Sequence, residues 1–191
     1  HIAISLESAG FRDANFWLIK QMNYNLHHAQ NDKDVIKKKK SIKEWNDIEN
    51  AGIVPLSFFK KQNIGINTSD DIEKIYDIYG VKDYLGLKKR VEEFNPTYFR
   101  KSSKFSENKN NVVAWSLMAK YKANLQEVPV FKRSNEAILL KELKKCFYKK
   151  HDVINRTKLI LNKYGIKFDT LDRPSKTPVD GKSFMSGKNP A

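Results

Sequence analysis

The sequence predicts a mainly α protein that passes into α+β at its C-terminus, a helical bundle followed by a short two-stranded sheet segment. Three observations predict it. Apolar residues recur at helical spacing through most of the 191 residues, N-cap residues and glycines punctuate those stretches, and beyond Gly165 the period shortens toward strand alternation. A hydrophobic share of 40% and an aromatic share of 12% supply the bulk for a core, so the chain is expected to fold.

The elements follow in order. Ile2 to Ala9 is helical in character and stops at Gly10, the residue best able to close a helix in the left-handed conformation. Asp13 is the expected N-cap of a second helix, in which Phe16, Trp17, Ile19, Met22, Tyr24 and Leu26 give so wide an apolar side that it should pack against more than one neighbour. From Gln30 to Lys43 the composition turns polar and basic, including the run Lys37, Lys38, Lys39 and Lys40, where like charges build no core. A domain boundary is expected near here. The run reads either as a flexible basic linker or as a solvated helix face, and the spacing of Ile42, Trp45 and Ile48 favours the helix.

Pro55 begins a short helical piece with Phe58 and Phe59, ended by Gly65. Ser69 caps a stretch in which Ile72, Ile75, Tyr76 and Tyr79 share a face until Gly80. A helix from about Lys82 to Phe94 should turn Leu85, Val91 and Phe94 inward, with Pro96 interrupting it. Asn108 or a neighbour caps the next helix, with Val112, Trp115, Leu117, Met118 and Tyr121 inside, before a turn through Val128, Pro129 and Val130. Ser134 opens a helix whose Ile138, Leu139, Leu140, Leu143 and Phe147 make it apolar enough to be central in a helical layer. Asp152 caps a last helix through Ile154, Leu159, Leu161 and Tyr164, closed by Gly165. Ile166, Phe168, Thr170 and Leu171 then approximate a half-buried strand, and Lys182 to Met185 a second, with Asp180-Gly181 and Ser186-Gly187 as turn signals.

Thirty-six Lys and Arg against 22 Asp and Glu leave a net charge of +14 and a pI near 9.7, suited to polyanionic partners. Lysine is spread along the whole chain, so a generally lysine-rich composition and true nucleic-acid contact both remain open. Lys37, Lys38, Lys39 and Lys40 are the candidate nucleic-acid-binding residues. Cys146 is the single cysteine, which excludes an intrachain disulfide and reads as a small buried hydrophobe. No apolar run approaches the ~20 residues of a membrane span, and the start lacks the order of a secretory signal. A cytoplasmic protein without membrane attachment is expected.

Catalytic motifs are missing from the sequence. None of His1, His27, His28 and His151 has a second histidine four residues away, and adjacent imidazoles on a helix point about 100° apart, so a surface role is expected for His27 and His28. There is no Gly-x-x-x-x-Gly-Lys-Ser/Thr loop, Gly-x-Ser-x-Gly elbow or dinucleotide fingerprint. The acidic pairs Glu92-Glu93 and Asp70-Asp71 read as caps and solvated faces. No catalytic or metal-binding residue and no cofactor is assigned to the chain.

Three stretches together resemble one family, the HigA-like antitoxins and XRE-type regulators that join a helix-turn-helix domain to an ImmA/IrrE-type metallopeptidase-like domain. Ile2 to Leu26, with Phe16-Trp17 and Asn23-Tyr24, is similar to the closing helices of the DNA-binding domain. Phe99-Arg100-Lys101-Ser102-Ser103-Lys104-Phe105 followed by Ala114-Trp115 resembles the helical middle region and is the most specific match. Tyr164-Gly165-Ile166 through Asp180-Gly181-Lys182-Ser183-Phe184 to Asn189-Pro190-Ala191 is similar to the strands before the family's His-Glu-x-x-His zinc helix. The resemblance implies a chain truncated at both ends, with the recognition helix upstream and zinc available only to a further C-terminal segment. It divides the chain into 1–29, a remnant of the helix-turn-helix domain; 30–50, a basic linker or linker helix; 51–150, a helical region; and 151–191, the start of the α+β domain.

The first expectation is therefore a DNA-binding transcriptional regulator or antitoxin-like protein of a toxin-antitoxin or prophage system, a homodimer with DNA and a toxin protein as partners. The alternative is the non-catalytic portion of a zinc metallopeptidase of the same type, because hydrolysis needs two helical histidines on zinc and a glutamate that this chain lacks. A purely structural interaction protein is the third.

Overall fold

Side-chain acceptors set four of the helix starts in the computed structural model, which describes residues 1–65, 69–94, 99–101, 108–148 and 151–191. After the short α1 (Ile2–Ser8), Asp13 caps α2 (Ala14–Asn31) by accepting the Phe16 N–H at 2.7 Å. Asp32 ends α2 and at once caps α3 (Lys33–Ala51), accepting from Asp34 and Val35 at 2.8 and 3.3 Å, so the two helices meet at one extended residue. Gly52, at φ 59°, makes the left-handed stop of α3. α4 (Leu56–Lys61) follows Pro55, α5 (Ser69–Tyr79) stops at Gly80, and α6 (Tyr84–Glu93) starts at Asp83, which accepts from Gly86 at 2.7 Å. Asn108 caps α7 (Lys109–Asn124) as expected, accepting from Asn111 at 3.2 Å. A 3-10 turn over Arg133–Asn135 leads into α8 (Glu136–Tyr148), which packs on α9 (Val153–Lys163).

The core draws on α3 to α7. Trp45 and Ile48 from the C-terminal half of α3 join Phe58 and Phe59 of α4, Ile72, Ile75 and Tyr79 of α5, and Leu87 and Val91 of α6. α7 runs through the middle: Val112 to Met118 are buried without a break, the mark of a helix enclosed on every side. Full burial of one such apolar side chain contributes about 1.5–3 kcal/mol. The Tyr79 hydroxyl is the costly exception, buried without a hydrogen-bond partner among the described residues. Its burial also pushes the phenol pKa well above the usual value.

The strands are short and come from distant parts of the chain. β1 (Phe99–Lys101) pairs antiparallel with β2 (Val179–Lys182), with Arg100 opposite Gly181 and Lys101 opposite Val179, so Asp180 is left as the bulged residue. β3 (Met185–Ser186) and β4 (Asn189–Pro190) form a hairpin around Gly187-Lys188, where Gly187 at φ 65° suits the first central position of a type II′ turn. Mainly α passing into α+β is thus the observed architecture, with two separate strand pairs among the described residues in place of one. Val179 reaches back from β2 into the helical core.

Several local expectations are corrected. Leu85 points outward at 77% exposure, and Leu87, one helical turn before Val91, takes the inward place. α8 is peripheral: Ile138, Leu140 and Phe147 are exposed, and only Leu139 and Cys146 are buried. Ile166 to Leu171 is not a strand, because its N–H groups turn elsewhere, Lys167 to the Pro190 carbonyl and Phe168 to the Gln126 side chain. Asp180-Gly181 lies inside β2 rather than in a turn, and Phe99 to Lys101 is a strand rather than helix. Asp152 stands at the start of α9 with φ 52°, yet its carboxylate accepts from the Asn155 side chain at 2.6 Å and no backbone N–H. Asp71 is buried, not solvated, although with Asp70 it does sit in the first turn of α5. Pro96 and residues 102–105 lie outside the described residues.

Candidate nucleic-acid interface

Between residues 33 and 43 the chain places six lysines and one aspartate, all on the N-terminal half of α3. The capping aspartate at position 32 fixes where this helix starts, and Trp45 and Ile48 in its C-terminal half fix it to the core. The basic half therefore projects from an anchored rod. Its charge comes before the acidic half, where Glu44, Asp47 and Glu49 stand without a basic residue in the last turn. That order runs against the helix dipole, which favours acids first and bases last.

The four consecutive lysines do not form one stripe. At about 100° per residue they ring the helix, and all four are exposed. Lys37 turns to α5, where its ammonium meets the Glu73 carboxylate at 2.9 Å, a hydrogen bond and ion pair that raise its pKa. Lys40 lies 3.7 Å from Glu44, which also accepts the Tyr76 hydroxyl at 3.0 Å. Lys38 and Lys39 carry neither bond. The Tyr76 phenol pKa is pushed upward first by burial and then by this bond to Glu44, so the phenol keeps the proton it donates there. Such exposed pairs are weak and screened by solvent, which leaves the lysines available to a stronger anion.

Before α3 the chain is open. Every residue from 1 to 44 is exposed or half-buried, including Ile4, Leu18, Ile19, Met22 and Leu26. The wide apolar side of α2 finds its main contacts in α1 and α3, and both leave it largely in solvent. Phe16 is flanked by cations, the Arg12 guanidinium 4.9 Å and the Lys20 ammonium 5.6 Å from its ring centre. His27 and His28 are exposed, with the Tyr24 ring 4.3 Å from that of His28 and tilted by 53° to it.

A second cationic place escaped the sequence reading. A cleft of about 400 Å³ lies between α7 and the C-terminal strands, lined by Trp115, Lys122, Lys167, Lys182 and Phe184 among others. Lys182 donates to the buried Ser116 hydroxyl and lies 5.9 and 5.4 Å from the Phe94 and Phe184 ring centres. Burial, then the nearby Lys120 and Arg90, holds its pKa below the ordinary lysine value. Its lysines stand up to sixty positions apart, and no local spacing signals them.

Fold and surface define the class: a mainly helical protein that offers an anchored basic helix. Comparisons with protein-family models, with curated proteins and with solved structures find no match. Among the described helices none is long and apolar enough to cross a membrane.

Proposed function

We propose that this chain is the helical body of a DNA-binding transcriptional regulator or antitoxin-like protein of a toxin-antitoxin or prophage system, working in the cytoplasm as a homodimer. Lys38, Lys39 and Lys40 contact phosphate, with Lys37 recruited from Glu73. The observation that carries the reading is the exposed basic half of α3, six lysines against one aspartate over eleven residues. Those residues extend about 16 Å along the helix, a length over which one DNA strand presents about five phosphates. The resemblance to HigA-like regulators adds base readout by a helix-turn-helix and a toxin protein as second partner.

Counterion release gives the test. Affinity for a duplex carrying the chain's own promoter should fall steeply with salt, and Lys38, Lys39 and Lys40 all changed to Gln should lower the slope of log K against log salt by about 3. An unchanged slope in that triple variant removes α3 as the interface. No retardation at low salt removes the DNA reading altogether.

A further inference from the structure

Four apolar side chains of α2 share one strip of its surface. Leu18, Met22 and Leu26 recur every fourth residue and Ile19 stands beside them, so the four fall within about 100° of arc. All are between 54% and 59% exposed. Phe16 and Trp17, the half-buried aromatics of the same helix, stand about 160° round from the middle of that strip. α1 packs on α2 and leaves the strip in solvent.

The flanks of the strip are neutral. Gln21 and Asn25 stand along one edge, joined by a 2.9 Å hydrogen bond, and Asn23 and Gln30 along the other. Lys20, the single lysine of α2, lies on the far side, 5.6 Å from the Phe16 ring centre. Residues 1–31 hold two acidic and two basic side chains, Glu7, Asp13, Arg12 and Lys20, so the whole surplus of +14 belongs to the chain from Asp32 onward. That distribution selects the occupant. A polyanion or an anionic bilayer is drawn to the lysine-rich remainder, whereas two copies charged +14 repel unless they meet where neither carries a surplus. The strip is also its own complement. Met22 lies midway between Leu18 and Leu26, so an antiparallel approach about a two-fold axis at Met22 sets Leu18 of each copy beside Leu26 of the other. The edge amides, donors and acceptors at once, pair across the same axis.

We propose that α2 is a dimer contact, its strip of Leu18, Ile19, Met22 and Leu26 docking antiparallel on the same strip of a second copy with Met22 at the two-fold axis. The contact rests on the homodimer of the proposed function and on nothing in its DNA reading. Each side chain at such exposure leaves about 100 Å² open, and with the amide edges the face offers about 600 Å² per copy, below the ~800 Å² of a standard interface. The pairing is therefore of micromolar strength, and below about 1 µM the copies part and α2 stands in solvent.

Sedimentation equilibrium of the 191-residue chain from about 1 to about 300 µM measures the pairing. The mean mass should climb from 22.2 kDa toward twice that value with a midpoint of roughly tens of micromolar, and about 0.5 M NaCl should not weaken it, because the contact holds no ion pair. Met22→Lys brings two ammonium groups together at the axis and should weaken association at least about 100-fold, while Leu140→Lys, on the exposed face of α8, leaves it unchanged. Met22→Cys should link to its own copy under mild oxidation and Lys20→Cys, on the far side, should not; the native Cys146 is buried. A chain that stays monomeric up to about 300 µM overturns the contact together with the homodimer, whether or not it binds phosphatidylserine vesicles, and leaves the contact of lysine with phosphate to its own salt test. A dimer that survives Met22→Lys, or in which Met22→Cys links no faster than Lys20→Cys, overturns this contact alone and leaves the homodimer standing.

Discussion

Two helices of nearly equal length meet opposite fates in this molecule. α2 has 18 residues and α7 has 16; each starts at a side-chain cap and each carries a tryptophan and a methionine. α7 buries Val112 through Met118, whereas α2 buries nothing. Helix formation is a local matter of caps and propensity, but burial depends on what the rest of the chain brings up to the helix. α7 is met by α5 and β3, and Val179 of β2 joins its core, while among the described residues α2 has its main contacts with α1 and α3.

Matched methionines measure that difference. Met118 is 1% exposed and Met22 is 59% exposed. Met118→Ala should destabilise the chain by about 2–5 kcal/mol through lost transfer energy and a residual cavity. Met22→Ala should stay within about 0.5 kcal/mol, because alanine favours the helix and little burial is lost. Urea unfolding with an unchanged m-value reads both. Equal losses would break the comparison, since they would mean that α2 is covered in solution.

Glycines extend the contrast to the backbone. Gly10 and Gly165 close helices at φ 84° and 83°, so alanine is strained at either. A Cβ on Gly10 meets nothing within 4 Å, but on Gly165 it falls 2.4 Å from the Pro129 carbonyl oxygen and 2.6 Å from the Phe131 nitrogen. Asn189 ties the same place together, donating to both Gly165 and Pro129 carbonyls at 2.6 and 2.7 Å. Gly165→Ala should cost about 2–4 kcal/mol and Gly10→Ala about 1 kcal/mol. Thermal unfolding of the two variants decides it, and similar Tm losses would show that the segment after α9 yields to the clash.

What could be read from residues alone follows the same division. Asp13, Asn108, Gly10 and Gly80 announce helix ends because a cap acts on its own turn, and each stands where its chemistry requires. Cys146 is buried as its type suggests. The apolar face of α8 gave a misleading signal, since periodicity reports that a face exists and not that anything covers it. β1 was illegible because its partner lies about eighty residues onward and three residues hold too little pattern. Of the basic candidates, Lys37 to Lys40 stood out by adjacency, but the Lys37–Glu73 pair that separates the first from the others depends on α5 packing beside α3. The cleft lysines depend wholly on tertiary structure.

Between the enclosed α7 and the open α2 stands the α8–α9 pair, with little buried apolar surface and a polar clasp in its place. Glu142 accepts from Lys163 at 2.9 and 3.2 Å and from the Tyr164 hydroxyl at 2.9 Å. The bond from Lys163, then that from Tyr164, holds the Glu142 pKa below its ordinary value, and the bond to Glu142 raises that of Lys163. A carboxyl with a lowered native pKa adds stability above its unfolded value, roughly 4.3, and loses it as pH falls through the native one. A raised lysine adds stability below roughly 10.4 and loses it as pH climbs through its native value. The clasp therefore works on the plateau between these limits, where the apolar packing around α7 has no titrating counterpart. Hydrogen exchange of α9 amides should quicken on acidification through the lowered Glu142 range, and Glu142→Gln should flatten that limb with only a small loss at neutral pH. An acid limb of the same size in the variant would mean that other carboxylates hold α9 in place.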